Sequence, residues 1–534
     1  MHSVTTTSRP EIQPHPPSAV TQARVSGPWA RGGPRAVRLA TGLAGMIAIL
    51  AYLFVALRRV DYPFALEWLE GNSLAEVHRV LAGQNLYPAP TAGYVPDGYP
   101  PLYFAVSAAA ARVLGPSYLT LRLVSLISSL ACFALLGRLV QRETASIAAG
   151  TAAAGLLAAT YYVTDTWFDV ARVDSLFLAL SIGALYAARH MRGTGGAVTA
   201  GVLLAAAALT KQTGLAECAA VTVVLLIGPH RRLGWVAALA EVAVLGVSTL
   251  VLALTSGGWY LFYVYLLMSE HPLTGSSFGW FWTALATALG LAAAAAVLAA
   301  RRVPPVLLAG CAALAVEGYA ALVHSGGSIN DVLPAYLAVA LLAGLALGSG
   351  QAWRGAAAGV LVLAQTALLL SALHLAQVIP SAADRSVGKR LVAGIRELGG
   401  TVAVPADPGL SLLAGQSPVA HQDAAYDVLR ATNRTAIASF ERSVSAAITA
   451  QRFSAIITDS AGPPLGYPAV LGRYYKRCPQ PLLAGVQPAV FEPVAGTAGR
   501  PAFVWVPRGS GSCPAAVRAL TGTAASTSAK TGRS

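Results

Sequence analysis

Apolar runs of about 17 to 25 residues, each long enough to cross about 30 Å of hydrocarbon as a helix, recur along the first 380 residues. Inside lipid a backbone must satisfy its own hydrogen bonds, so repeated runs of this length confine the chain to a helical bundle. Composition agrees: the chain is 55% hydrophobic and 11% charged, where soluble domains carry about 25% charge. Eleven spans are expected, at 39–57, 118–140, 144–163, 174–190, 195–211, 213–229, 233–255, 281–300, 304–323, 332–349 and 356–378.

The basic residues set an orientation. With Arg24, Arg31, Arg35 and Arg38 inside, alternate loops carry Arg138/Arg142, Arg189/Arg192, Arg231/Arg232, Arg301/Arg302 and Arg354 on the same face, as the positive-inside rule requires. Arg58, Arg59 and Lys211 are the exceptions on the outer side, where Arg58 and Arg59 are expected to hold the first helix at headgroup level. The net charge of +14 is spread over these clusters and not over one soluble face, which argues against nucleic acid as a partner. Multi-pass insertion in a bacterial plasma membrane, with the N-terminus cytoplasmic, is the expectation.

Four regions follow. Residues 1–38 read as a disordered cytoplasmic tail, 39–379 as the membrane domain with a long first outer loop at 58–117, 380–509 as an extracytoplasmic α/β domain, and 510–534 as a disordered tail. Within the first loop, 102–114 is too short for a span and reads as an interfacial helix. Strands are expected at 401–405, 455–458 and 502–507, with helices near 385–398 and 436–451. Of the five cysteines, 132, 218 and 311 fall in apolar spans and read as core residues. Cys478 and Cys513 lie in the C-terminal region, and the sequence leaves their pairing open.

The outer loops concentrate ionisable residues. Asp61, Glu67, Glu70, Glu76 and Asp97 follow the first helix, and the stretch TDTWFDVARVDS adds Asp165, Asp169, Arg172 and Asp174 at the same level. Any one of these acids reads as part of a solvated loop, but two groups meeting at one membrane face point to a site. No Walker loop, Rossmann fingerprint, G-x-S-x-G elbow or H-E-x-x-H is present.

Taken in order, the acidic group, the A-E-x-x-R segment (Ala75, Glu76, Arg79), PPLYF (Pro100 to Phe104), R-x-D-S (Arg172, Asp174) and T-K-x-x-G-L (Thr210, Lys211, Gly214, Leu215) resemble the GT-C fold glycosyltransferases. The likeness is to bacterial members similar to protein O-mannosyltransferases and aminoarabinose transferases. It covers about residues 39–350 and implies a GT-C-like polytopic helical membrane protein. It further implies sugar transfer from a polyprenyl-phosphate donor, among membrane lipids, to a glycan, lipid or protein acceptor.

By the same resemblance a first-loop carboxylate acts on the acceptor hydroxyl. Six residues before Glu76 stands Glu70, with Glu67 the neighbouring candidate and Asp174 a second-loop partner. The family more often has Asp at the Glu70 position. Lys211 and Arg172 are the cations expected to hold the donor phosphate, although Lys211 could simply snorkel to the interface. Tyr99 and Tyr103 fit an aromatic belt or a sugar-stacking surface, and Asn330, in the SGGSIND loop, could contact sugar or phosphate. No cofactor is implied with certainty; a divalent cation is compatible with the carboxylates, its ligands unknown. The rival function is a transporter or flippase of lipid-linked intermediates, and a third reading is a scaffold.

Overall fold

The computed structural model describes residues 35–298, 303–348, 352–464, 466–467 and 470–522. Residues 1–34 of the expected 1–38 tail, the Arg301/Arg302 cluster and residues 523–534 lie outside them. The chain is a multi-pass helical membrane protein. Among the described residues seven helices are long and apolar enough to cross a membrane, beginning with Arg35–Arg59. Large apolar side chains such as Leu43, Leu50, Trp235, Val242 and Leu254 point outward, a surface that lipid and not water solvates.

All eleven expected positions are helical, but four of the helices are short; Asp174–His190 has the expected bounds, and the other three are shorter than expected. Ile147–Ala159, Asp174–His190, Gly193–Ala208 and Leu215–Ile227 run 13 to 17 residues. At about 1.5 Å per residue they rise roughly 20–25 Å, short of a full crossing. Three of them stop where the chain turns to deliver loop residues: Ile147–Ala159 and Asp174–His190 flank the 160–173 turn, and Gly193–Ala208 ends just before Lys211. The first helix also starts earlier than expected, at Arg35.

Small residues bring the helices together. A side chain at Gly155 would fall 2.1 Å from the Gly45 Cα, so the first helix and Ile147–Ala159 meet backbone to backbone. Close approach of this kind drives helix association in lipid, where apolar burial gives no advantage.

The first outer loop folds into two helices, Glu70–Leu81 and Leu102–Leu114. Pro100 and Pro101 precede the second, where missing N–H groups cost nothing, and Gly115 ends it at φ +81°. Ser117 then caps Tyr118–Thr144 by accepting from the Thr120 amide.

The C-terminal region forms a four-stranded sheet in the order β1 (Val402–Ala403), β2 (Ala455–Thr458), β4 (Phe503–Pro507), β3 (Tyr475–Arg477). β1 and β2 are parallel, with Val402 opposite Ala455; the other pairs are antiparallel. Helices Ala382–Leu398, Gln422–Leu429 and Arg434–Thr449 surround it. The expected strands are present, and β3 is one more than expected.

The stretch from 513 to 521 departs from the expected tail. It forms a helix, Cys513–Thr521, capped by Ser512, that buries Ala516, Val517 and Leu520. Cys513 is bonded to Cys478, with Cα atoms 5.3 Å apart, which fixes the helix to the sheet. Cys132, Cys218 and Cys311 are free and buried, as expected of core residues. Cys478→Ser is expected to destabilise the C-terminal domain by about 2–4 kcal/mol through lost loop closure. Limited proteolysis of the detergent-solubilised protein would then cut near residue 513; an unchanged cleavage pattern would contradict the bridge as a structural clamp.

Candidate functional site

The two outer loops meet in a network of buried charge. Arg59 is fully buried, donating to both Asp169 oxygens at 2.6 and 2.9 Å, to the Thr166 hydroxyl and carbonyl, and to the Val378 carbonyl. This corrects the expectation that Arg59 rests among headgroups; Arg58 alone is exposed, over the Phe54 ring. The physical reason is that Asp169 lies on the adjoining turn, and a buried charge is stable only when paired and hydrogen-bonded. The same bonds hold Asp165 and Thr166 at positive φ, 50° and 56°, which bends the 164–173 segment back over the bundle.

Glu70 is buried one layer below. Its Oε1 accepts from Arg122 Nε at 2.9 Å and the Ala171 amide at 2.6 Å, and its Oε2 from Arg122 Nη2 at 2.5 Å and the Leu66 amide at 2.6 Å. Arg122 also donates to the carbonyls of Tyr62 and Phe64. Both carboxylate oxygens are thus saturated, and neither residue borders open space. Arg122 carried a signal in the sequence: it stands in the first turns of an apolar helix, far from Arg138 and Arg142 at the other end, which calls for a buried partner.

A cavity of about 480 Å³ lies above this layer. Its walls include Asp97, Tyr99, Arg172, Lys211 and Asp331 from the membrane domain, and Asp423, Asp427 and Arg430 from the Gln422–Leu429 helix and its end. Met268, Ala320 and Ala321 make an apolar side. Of the expected residues, Arg172, Lys211 and Tyr99 therefore face one space. Glu70, Glu67, Asp174, Tyr103 and Asn330 do not line it.

Each cation there is held by acids. Lys211 Nζ donates to Asp174 Oδ1 at 2.9 Å and Asp331 Oδ1 at 3.0 Å, so it does not snorkel. Asp174 is buried behind it and also accepts from the Trp167 indole at 2.9 Å and from Asn330 at 3.3 Å. Asp331 closes a capping box with Ser328, which orients the 324–331 loop. Arg172 approaches Asp97 Oδ2 at 3.4 Å and Glu67 Oε2 at 3.8 Å, and donates to the Tyr99 hydroxyl at 3.2 Å. Asp97 is fixed on its other side by the Asn72 amide at 2.7 Å and through its backbone N–H by Glu76 at 2.7 Å. Tyr103 instead packs helix on helix, its hydroxyl near the Leu121 carbonyl and Ser125.

Glu67 sits behind Arg172 with Oε1 unpartnered, and burial pushes its carboxyl up to about 8 despite Arg172. It therefore keeps its proton near pH 7, and Asp97, at 3.4 Å, is the nearer carboxyl to Arg172. Because the folded value lies above the ordinary 4.5, this proton's contribution to stability is full below about 4.5 and is lost as pH rises through about 8. Glu67→Gln mimics the protonated acid, so its melting temperature should fall less than that of the wild type between pH 5 and 9. Parallel curves would contradict a buried neutral Glu67.

Asp97 stood among the first-loop acids without being singled out, although it directly precedes Gly98-Tyr99-Pro100-Pro101. Asp427 and Arg430, which pair at 2.5 Å, had no sequence signal, since nothing in the sequence says that this soluble helix covers the membrane domain. Among the described residues no three His, Cys, Asp or Glu side chains come together to hold a metal ion.

A family model described as dolichyl-phosphate-mannose-protein mannosyltransferase matches residues 98–261, beginning one residue after Asp97. ArnT from Cupriavidus metallidurans, bound to undecaprenyl phosphate, matches with a TM-score of 0.52 and 14% identity over 70% of this chain and 85% of that one. Its apo form gives 0.51 and 15% over the same shares. The fold is that of the GT-C membrane glycosyltransferases. The S. cerevisiae protein O-mannosyltransferase Pmt1-Pmt2 complex bound to the sugar donor gives a TM-score of 0.30 and 16% identity, over 44% of this chain and 36% of that one. No curated protein matches in sequence. In the GT-C architecture seen here residues of the two outer loops and Lys211 line one cavity that the C-terminal domain covers.

Proposed function

We propose that the protein transfers a sugar from a polyprenyl-phosphate donor to an acceptor at the outer face of a bacterial plasma membrane, with Asp97 as the base. The observation that carries this reading is one cavity in which Arg172 and Lys211 stand beside Asp97 and next to an apolar wall. Phosphate needs cations where its negative charge grows as the glycosidic bond breaks, and Arg172 and Lys211 supply them. The apolar side at Met268, Ala320 and Ala321 suits the first isoprene units.

Asp97 takes the proton of the attacking hydroxyl, since Asn72 orients it and Arg172 contacts its other oxygen only at 3.4 Å. Tyr99 braces Arg172 beside the phosphate. Asp174 and Asn330 act through Lys211 by fixing its position, and Glu67 acts through Arg172. Glu70 is a positioning residue that ties the first loop to Arg122 and to the Ala171 amide. The Cys478–Cys513 disulfide supports a C-terminal domain outside the cytoplasm, because such bonds persist in oxidising compartments.

Purified protein given a polyprenyl-phosphate sugar labelled in the sugar, together with a membrane acceptor extract, is expected to move label onto the acceptor. Movement of intact donor across reconstituted vesicles without transfer would contradict this reading and favour a flippase.

A further inference from the structure

The donor-side cavity continues into the C-terminal domain. Trp68, Asp423 and Thr497 border both it and a second cavity of about 70 Å³. The second cavity lies past the carboxyl ends of β1 and β2, where Ala406, Asp407, Thr458 and Asp459 line it. In open α/β sheets ligands bind outside the carboxyl ends of parallel strands, and β1 and β2 are the parallel pair here.

The two cavities differ in chemistry. Arg172, Lys211 and Arg430 line the first, whereas among its described residues the second has no Lys or Arg. Its walls are aromatic, from Tyr62, Trp68 and Phe491, and acidic, from Asp407, Asp423, Asp459 and Glu492. A phosphate is repelled there. The acids keep acceptor capacity: Asp459 receives the Gln422 amide on one oxygen, and Asp407 receives the Gly409 amide and the Tyr118 hydroxyl on one oxygen. Carboxylate acceptors beside flat aromatic faces match a sugar ring, whose hydroxyls donate outward while its C–H face packs on an indole.

We propose that the acceptor is a glycan chain, its reacting end beside Asp97 and its next sugar in the C-terminal cavity against Trp68, Asp423 and Asp459. The acceptor role rests on the sugar-transfer reading; the presence of a glycan subsite does not. Between the two positions the Gln422–Leu429 helix presents Asp423 and Asp427, one turn apart, along the path.

The test titrates full-length protein in detergent with mannotetraose, arabinotetraose or maltotetraose, and separately with tetralysine, following tryptophan fluorescence. At least one tetrasaccharide should quench the signal, and Trp68→Phe should remove that quench. Asp459→Asn and Glu492→Gln should each raise the dissociation constant about tenfold, the loss of one charged hydrogen bond. These two variants keep the test sound should Trp68→Phe not fold. Binding of tetralysine alone, of no tetrasaccharide, or of tetrasaccharides equally to wild type and variants would overturn the proposal. The titration contains no donor, so its failure and a failure of label transfer are separate results.

Discussion

Glu70→Gln is expected to lower stability by about 3–5 kcal/mol, because it leaves the Arg122 guanidinium buried without its counter-charge. Neither residue has measurable exposure, and Arg122 loses two charge-assisted bonds at 2.9 and 2.5 Å. The amides of Leu66 and Ala171 lose a charged acceptor as well, which adds to the loss of stability. The measurement is the denaturant unfolding midpoint of the solubilised variant. The same substitution should leave sugar transfer per folded molecule largely intact, since Glu70 touches no part of the cavity. A stable but inactive variant would return the role of base to Glu70.

Asp97→Asn is expected to reduce transfer by about 10² to 10⁴-fold, the range for removal of a positioned general base. Asparagine keeps the size of the side chain and can still receive the Asn72 amide, so the first loop should remain folded. It cannot take a proton. Arg172 then loses a charged neighbour at 3.4 Å while keeping Tyr99 and Glu67. Donor binding should therefore hold or strengthen slightly while turnover falls. A variant that loses donor binding in proportion to turnover would instead make Asp97 a binding residue.

The membrane bundle was legible because lipid imposes a simple rule on the backbone, and all eleven apolar runs are helices. Span length was less legible: the Ile147–Ala159 and Gly193–Ala208 helices end early to turn toward the site, a tertiary demand that hydropathy does not encode. In the C-terminal domain β2, with a burial pattern of four buried residues, fell where the apolar run stood. β3 did not stand out, since Tyr475–Arg477 is only three residues of mixed polarity completed by pairing with β4. The 513–521 helix was hidden by the Ser-, Thr-, Gly- and Ala-rich tail around it, and its position depends on a cysteine 35 residues away.

The site was legible in its parts but not in its pairing. Lys211 could be named from its topological exception and its motif, and Arg172 from its motif; both line the cavity. Which acid serves which cation was not readable: Glu70 and Arg122 are 52 residues apart, Lys211 and Asp331 are 120 apart, and the resemblance pointed to Glu70 and Glu67, not to Asp97. Burial supports the proposed choice among them. Glu70 is consumed by an arginine below the cavity, Glu67 is neutralised behind one, and Asp97 alone of the three borders open space.

The most direct measurement compares label transfer from a polyprenyl-phosphate sugar by Asp97→Asn and by Glu70→Gln, each normalised to folded protein. The structure predicts that Asp97→Asn is nearly inactive and well folded, while Glu70→Gln is less stable yet active. An active Asp97→Asn beside an inactive, fully stable Glu70→Gln would contradict the assignment of the cavity as the place where the sugar is transferred.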